Sequence, residues 1–363
     1  MKFIDEFRDG DLARGILKRI EKTSKRPVQL MEVCGTHTVS IFRSGLRNLL
    51  PEQVRLLSGP GCPVCVTPNQ DIDLGLALAR QNGTILLTFG DMMKVPGSRS
   101  SLQKEKAEGR DIRMIYSSLD LIRIARENPT RRVVFFAIGF ETTTPTISVA
   151  IRKAKEEGIR NLFILNSQKR IPPALSALLK SNRVKVDGFL LPGHVSTILG
   201  VNPYRFIVKE FGKACVIAGF EPLDILQGIY MLLRQIEEER PEVEIQYRRV
   251  VEEDGNARAR EAIAEVFEVD GALWRGLGPI PESGYRFKEA YADLDARSFD
   301  IEVEPSIEHP ECLCGEVIQG VRSPLECRLF GTVCHPEEPV GPCMVSFEGT
   351  CHTYYRFPPE RSQ

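Results

Sequence analysis

Short apolar runs alternate with segments of helical periodicity along the first 240 residues. Residues 54–58 form one such run and predict a strand. After Asn69 the apolar residues Ile72, Leu76 and Ala79 recur at intervals of four and three, which predicts a helix. Further strands are predicted at residues 28–33, 84–89, 112–116, 133–138, 162–165, 188–191 and 214–218.

This alternation predicts an α/β fold with parallel sheets, because helices are the usual connections between parallel strands. We predict one α/β domain in residues 1–128 and a second in residues 129–240. From residue 241 the alternation stops. Residues 241–363 are therefore predicted as a third domain, which is poor in apolar runs and rich in cysteine.

Composition and charge exclude several classes of partner. Apolar residues make up 42% of the 363 residues and charged residues 27%, as in ordinary soluble proteins. The net charge of −1 gives no electrostatic reason to expect nucleic acid or an anionic membrane. No apolar run approaches the roughly 20 residues that span a bilayer, and the first nine residues lack a signal-peptide core. We expect a cytoplasmic protein.

Ten cysteines in a cytoplasmic chain favour metal or redox chemistry over structural disulfides. Cys312, Cys327, Cys334 and Cys351 fall in the last 52 residues, separated by fourteen, six and sixteen residues. Such a set suits a tetrahedral sulfur site, either iron–sulfur or zinc, and the lack of paired C-x-x-C motifs there disfavours zinc. The alternative is a group of buried free cysteines.

Cys62 and Cys65 form a C-x-x-C motif in a loop between a predicted strand and a predicted helix. Ligands of open α/β sheets bind at the carboxyl ends of strands, where this loop lies. Three interpretations compete: a dithiol redox pair, two ligands of a bound metal, or half of a structural zinc site. An inert turn is the alternative without function. The nearby helix N-terminus is expected to lower the thiol pKa.

Cys34 and His37 follow another predicted strand, so a parallel sheet would bring their loop to the same edge as Cys62 and Cys65. His37 can act as a base, as a proton donor or as a hydrogen-bond partner of the thiolate. A Cys–His hydrolase and a purely structural histidine are the alternatives. No oxyanion signature supports the hydrolase.

Two further polar residues follow predicted strands. Glu141 lies in the segment GFETTTP (139–145), and His194 follows Pro192 and Gly193. Glu141 is a candidate for binding a polar ligand, while capping of the next helix by the threonines explains the segment equally well. His194 is a candidate site residue at its strand end.

Six motifs occur in order along the chain. They are CGTHT (34–38), GPGCPVC (59–65), GFETTTP (139–145), PGHV (192–195), EDGNA (253–257) and GPCMV (341–345). Together they resemble the HypD family of NiFe-hydrogenase maturation proteins, and the resemblance covers essentially the whole chain.

The resemblance implies an assembly scaffold rather than a turnover enzyme. With the small chaperone HypC, family members hold an iron that acquires two cyanides, delivered by HypE, and one carbon monoxide. They have two α/β domains and a C-terminal domain with a 4Fe–4S cluster. By motif match, Cys34, Cys62 and Cys65 correspond to the iron-site and thiol-redox cysteines. The implied cluster ligands are Cys312, Cys327, Cys334 and Cys351.

Two other functions use the same cysteines. An autonomous iron–sulfur thiol oxidoreductase would reduce a disulfide on a small partner and carry no diatomic ligands. A purely structural metalloprotein would keep its function without Cys62. In the scaffold interpretation we expect the chain to be a monomer on its own.

Overall fold

All eight predicted strands are present. The structure is a computed structural model that describes residues 7–358. The strands in that range are β1 (Val28–Glu32), β2 (Val54–Ser58), β3 (Thr84–Thr88), β4 (Ile112–Met114), β5 (Arg132–Ala137), β6 (Leu162–Asn166), β7 (Gly188–Pro192), β8 (Ala214–Ala218), β9 (Val243–Ile245), β10 (Phe267–Trp274) and β11 (Gly278–Phe287). The last three were not predicted.

Helices connect most of these strands, as the periodicity predicts. They are α1 (Gly10–Thr23), α2 (Gly35–Arg43), α3 (Leu46–Leu49), α4 (Asn69–Arg80), α5 (Leu102–Ala107), α6 (Asp120–Glu127), α7 (Thr144–Glu156), α8 (Ile171–Ser181), α9 (Gly193–Leu199), α10 (Arg205–Phe211), α11 (Pro222–Glu237), α12 (Ala257–Val266), α13 (Cys314–Ile318), α14 (Pro342–Val345) and α15 (Thr350–Arg356). Short 3-10 turns lie at Gly90–Met92, Asn202–Tyr204, Glu289–Leu294, Ala296–Ser298 and Pro324–Glu326. No helix within residues 7–358 is long and apolar enough to cross a membrane.

Two parallel sheets form the centre of the molecule. Sheet A has the strand order β2-β1-β7-β8-β9, and sheet B has the order β4-β3-β5-β6. Every neighbouring pair in both sheets is parallel. One apolar core includes Phe189 and Cys215 of sheet A together with Phe136 and Leu165 of sheet B. The predicted α/β fold with parallel sheets is thus confirmed.

The strands pair across the expected boundary at residue 128. Sheet A joins β1 and β2 to β7, β8 and β9, whereas sheet B joins β3 and β4 to β5 and β6. Each sheet therefore takes strands from both 1–128 and 129–240, and β9 lies beyond residue 240. Alternation of strands and helices does not specify pairing, because a crossover connection can deliver its strand to either of two sheets.

After α12 the chain forms a hairpin that the sequence pattern conceals. β10 and β11 pair antiparallel, with an irregularity in register between Asp270 and Ala272. Such a bulge shifts the alternation of side chains from one face to the other. Most of the chain after residue 299 is loops and short helices, and it contains six of the cysteines.

Candidate metal and dithiol centre

The two N-terminal cysteine loops meet at the carboxyl edge of sheet A. β1 and β2 are neighbours in register, with Glu32 beside Ser58, so their following loops emerge together. The backbone N–H of Gly35 donates to the carbonyl of Gly61 at 3.1 Å. A Cβ on Gly61 would lie 2.3 Å from the backbone nitrogen of Cys34, so only glycine permits this approach. The structure brings Cys34 together with Cys62 and Cys65, as predicted.

Cys62 and Cys65 form a disulfide, with 5.3 Å between their Cα atoms. Both residues are buried. The loop ends where α4 begins at Asn69. The geometry therefore allows the two sulfurs to alternate between a disulfide and a dithiol.

Cys34 is a buried thiol at the N-cap position of α2. Burial, together with the nearby carboxylate of Glu348, raises the pKa of Cys34 to about 12. A thiol in this setting stays protonated at neutral pH unless a metal ion ligates it, since a coordinated thiol loses its proton. The setting therefore disfavours a free Cys34 thiolate at neutral pH.

Two carboxylates that the sequence analysis missed surround Cys34. Glu32 Oε2 accepts from the Cys34 N–H at 3.1 Å, and Thr38 Oγ1 donates to Glu32 Oε1. Burial raises the pKa of Glu32 to about 8. On the other side, Thr36 Oγ1 donates to Glu348 Oε1 at 2.7 Å. Cys34 therefore lies between two acids whose protonation is sensitive to local charge.

His37 is fully buried and lies in the first turn of α2, not in a turn after the strand as expected. Its Nε2 lies 2.9 Å from the carbonyl of Gly219, which can only accept, so Nε2 carries the proton. Burial lowers the pKa of His37 to about 4, so the ring is neutral at pH 7. Within residues 7–358 its Nδ1 has no hydrogen-bond partner.

His194 joins the same edge from the end of β7. Its ring stacks on Phe220 with centroids 3.9 Å apart, and the ring of His37 stacks on Phe220 at 4.7 Å. Partial burial lowers the pKa of His194, although the residue as a whole is exposed. Phe220 therefore links the buried histidine to the exposed one.

Glu141 belongs to the edge of sheet B. Its Oε1 accepts from the backbone N–H of Ile171 at 3.0 Å, at the start of α8. Burial raises the pKa of Glu141 to about 7, and its Oε2 is unpartnered within the described part of the chain. This hydrogen bond caps α8. It does not connect Glu141 to the cysteine loops.

Six C-terminal cysteines line one apolar cavity, which we call the six-cysteine cavity. They are Cys312, Cys314, Cys327, Cys334, Cys343 and Cys351. Backbone N–H groups donate to the sulfurs of Cys334 and Cys343, at 3.3 and 3.2 Å. An apolar shell, thiols and N–H···S bonds are the donor set that an iron–sulfur cluster requires, so the residues fit such a group.

No single-ion site is apparent in the same region. Within residues 7–358 no three His, Cys, Asp or Glu side chains converge to hold one metal ion. The four thiolates of a 4Fe–4S cluster bind different irons, so they lie farther apart than the ligands of one ion. The cluster stays a prediction for the six-cysteine cavity.

Comparison with known proteins identifies the family. The family model HypD, described as "Hydrogenase formation hypA family", matches residues 11–358. The chain is 50% identical to hydrogenase maturation factor HypD2 of Bradyrhizobium diazoefficiens over 98% of this chain and 97% of the relative. It is 46% identical to the HypD of Azotobacter vinelandii (99% and 98% covered) and 42% identical to that of Escherichia coli K12 (100% and 100%).

The chain belongs to the HypD family. Membership confirms the resemblance that the six motifs carried, and it places the chain among the hydrogenase maturation factors. The roles of the individual cysteines, of the cluster and of named partners stay predictions.

In this member of the HypD family, one cysteine links the two sulfur-rich regions. Cys343 lines the six-cysteine cavity and also a small cavity shared with Cys62 and Cys65. Glu348 and Thr350 line that small cavity too. Cys343 is not among the four implied cluster ligands, and only the folded chain shows that it lines both cavities.

Proposed function

We propose that this protein is the scaffold on which the iron unit of a NiFe-hydrogenase is assembled, together with the small chaperone HypC. The iron acquires two cyanides from HypE and one carbon monoxide, and then passes to the hydrogenase large subunit. The observation that supports the proposal most is the close approach of the Cys34 loop to the Cys62–Cys65 loop at one edge of sheet A. The names of the relatives agree with a role in maturation.

The iron is cargo in this proposal, and sulfur is suited to it. Thiolates are soft ligands, and they match a low-spin iron that carries cyanide and carbon monoxide. Cys34 is the expected protein ligand, with Cys62 and Cys65 beside it and one further thiolate from HypC. His37 is neutral, and its partnerless Nδ1 can accept a hydrogen bond and orient a ligand.

The dithiol supplies redox chemistry at the same edge. Reducing the Cys62–Cys65 disulfide takes up two electrons and two protons and gives two thiols. We propose that Cys312, Cys327, Cys334 and Cys351 hold a 4Fe–4S cluster. When bound, such a cluster supplies single electrons. Cys343 lines both the six-cysteine cavity and the small cavity beside the dithiol.

The experiment is a cysteine substitution at the iron site. Cys34→Ala, purified anaerobically with HypC, is expected to lose the bound iron with its cyanide and carbon monoxide stretches. Cys215→Ala is the matched control, because Cys215 is also buried but lies inside β8, in the core. A Cys34→Ala protein that still acquired the iron unit would contradict the proposal.

The observed disulfide also favours a second candidate, an autonomous thiol oxidoreductase. It would use the same Cys62–Cys65 pair and the same cluster to reduce a disulfide on a partner. Bound cyanide and carbon monoxide distinguish the two functions, since only the scaffold carries them.

A further inference from the structure

A buried arginine lies between the dithiol loop and the six-cysteine cavity. Arg275 follows β10, and its side chain is 4% exposed. Its backbone N–H donates to the carbonyl of Val66 at 2.9 Å, and its Nε donates to the carbonyl of Thr67 at 3.1 Å. The guanidinium also donates to the side chain of Asn69. One residue therefore binds the segment that directly follows Cys65 through three hydrogen bonds.

The same turn contacts the cluster-binding segment on its other side. Nη1 of Arg275 pairs with Glu308 Oε1 at 2.8 Å, four residues before Cys312. The next residue, Gly276, packs so closely that a Cβ on it would lie 2.6 Å from the Cα of Gly315. Arg275 thus joins the two sulfur-containing loops, although both are far from it in sequence.

The charge of Arg275 is poorly screened. A guanidinium buried this deeply is costly unless its donors are satisfied, and the contacts above satisfy them. Glu308 compensates only in part, because its carboxylate is 52% exposed to water. Arg275 also lies beside the cavity, because its neighbour Gly276 packs against Gly315, and Cys314, which precedes Gly315, lines the six-cysteine cavity.

We propose that Arg275 is a positioning residue that raises the reduction potential of the cluster in the six-cysteine cavity. The inference rests on the proposed function, which puts a cluster there. Reduction adds one negative charge to a cluster, and a nearby buried cation stabilises that charge. The same guanidinium fixes the loop after Cys65 against the cavity. One side chain therefore sets both the positive charge beside the cluster and the distance between the cluster and the dithiol.

The test is a potentiometric titration of the full-length protein, followed by the spectrum of the reduced cluster. Arg275→Gln is expected to shift the midpoint to a more negative potential by about 59 mV, which is a tenfold change in the ratio of reduced to oxidised cluster. Arg275→Lys keeps the charge and is expected to shift it less. An unchanged or more positive midpoint in Arg275→Gln would overturn the inference.

Glu308→Gln tests the same charge with the opposite sign. Removing this exposed carboxylate leaves Arg275 uncompensated, so the midpoint potential should become more positive. An unchanged or more negative midpoint would overturn the inference. This test also applies if Arg275→Gln loses its cluster. Arg123→Gln is the matched control, because Arg123 lies in α6, is 60% exposed and pairs with Asp120 at 3.2 Å. Its midpoint should equal that of the unaltered protein. Unaltered protein without any cluster after reconstitution would overturn the proposed cofactor and this inference with it.

Discussion

Adding one methyl group at Gly61 is expected to separate the two loops that form the candidate iron site. The Cβ of Gly61→Ala would lie 2.3 Å from the nitrogen of Cys34, 2.4 Å from the carbonyl carbon of Val33 and 2.5 Å from the Cα of Cys34. All three contacts are with backbone atoms, which cannot move away by changing a rotamer. The loops must therefore part, and the hydrogen bond from Gly35 to Gly61 lengthens with them.

The expected cost follows from two contributions. Overpacking a buried site costs about 1–3 kcal/mol. Losing a buried backbone hydrogen bond adds roughly 0.5–1.5 kcal/mol. The free energy of unfolding should thus fall by about 1.5–4.5 kcal/mol, which lowers the folding equilibrium constant by about 10- to 2000-fold.

Urea unfolding of Gly61→Ala measures this change as a lower midpoint at an unchanged m-value. The same protein, purified with HypC, should also bind less iron because Cys34 has moved away from Cys62. Gly15→Ala is the matched control: Gly15 lies in α1 with open space around it, and alanine there is expected to stabilise the helix by about 0.5–1 kcal/mol. A Gly61→Ala midpoint equal to that of the unaltered protein would refute the close approach of the loops.

Two other predictions concern a buried acid and the candidate cluster ligands. Burial raises the pKa of Glu141 from about 4.5 to about 7, so the folded protein favours the protonated acid. The stability that this preference contributes is complete below about pH 4.5 and is lost as pH rises from about 4.5 to 7. Glu141→Gln should therefore gain stability relative to the unaltered protein across that range, by up to about 3 kcal/mol; a difference independent of pH would exclude an ionisable Glu141. Cys334→Ala should abolish the visible absorbance of the cluster, with Cys215→Ala as its control, and full absorbance in Cys334→Ala would remove Cys334 from the ligand set.

Local sequence signals predicted where strands and helices occur better than they predicted which strands pair. β3 and β8 are buried throughout, so their apolar runs were readable as strands. Which sheet each strand joins depends on which faces can be buried together, and that information lies in contacts between distant segments. The hairpin of β10 and β11 was missed because its bulge breaks the alternation.

The candidate site shows the same limit. Cys34 and Cys62 were predicted together because parallel strands end at a common edge. Glu32 was missed since an acid at the end of a strand resembles an ordinary exposed terminus, yet this one is 2% exposed. Glu348 was missed because its contact with Thr36 spans 312 residues. No local pattern signals a contact over such a distance.

The most direct test of the scaffold function is an infrared spectrum of the protein purified anaerobically with HypC, in the region of cyanide and carbon monoxide stretches. The proposal predicts two cyanide bands and one carbon monoxide band that disappear in Cys34→Ala. A spectrum without these bands, from a sample with an intact cluster and a Cys62–Cys65 pair that can be reduced and reoxidised, would contradict the scaffold function and favour the thiol oxidoreductase.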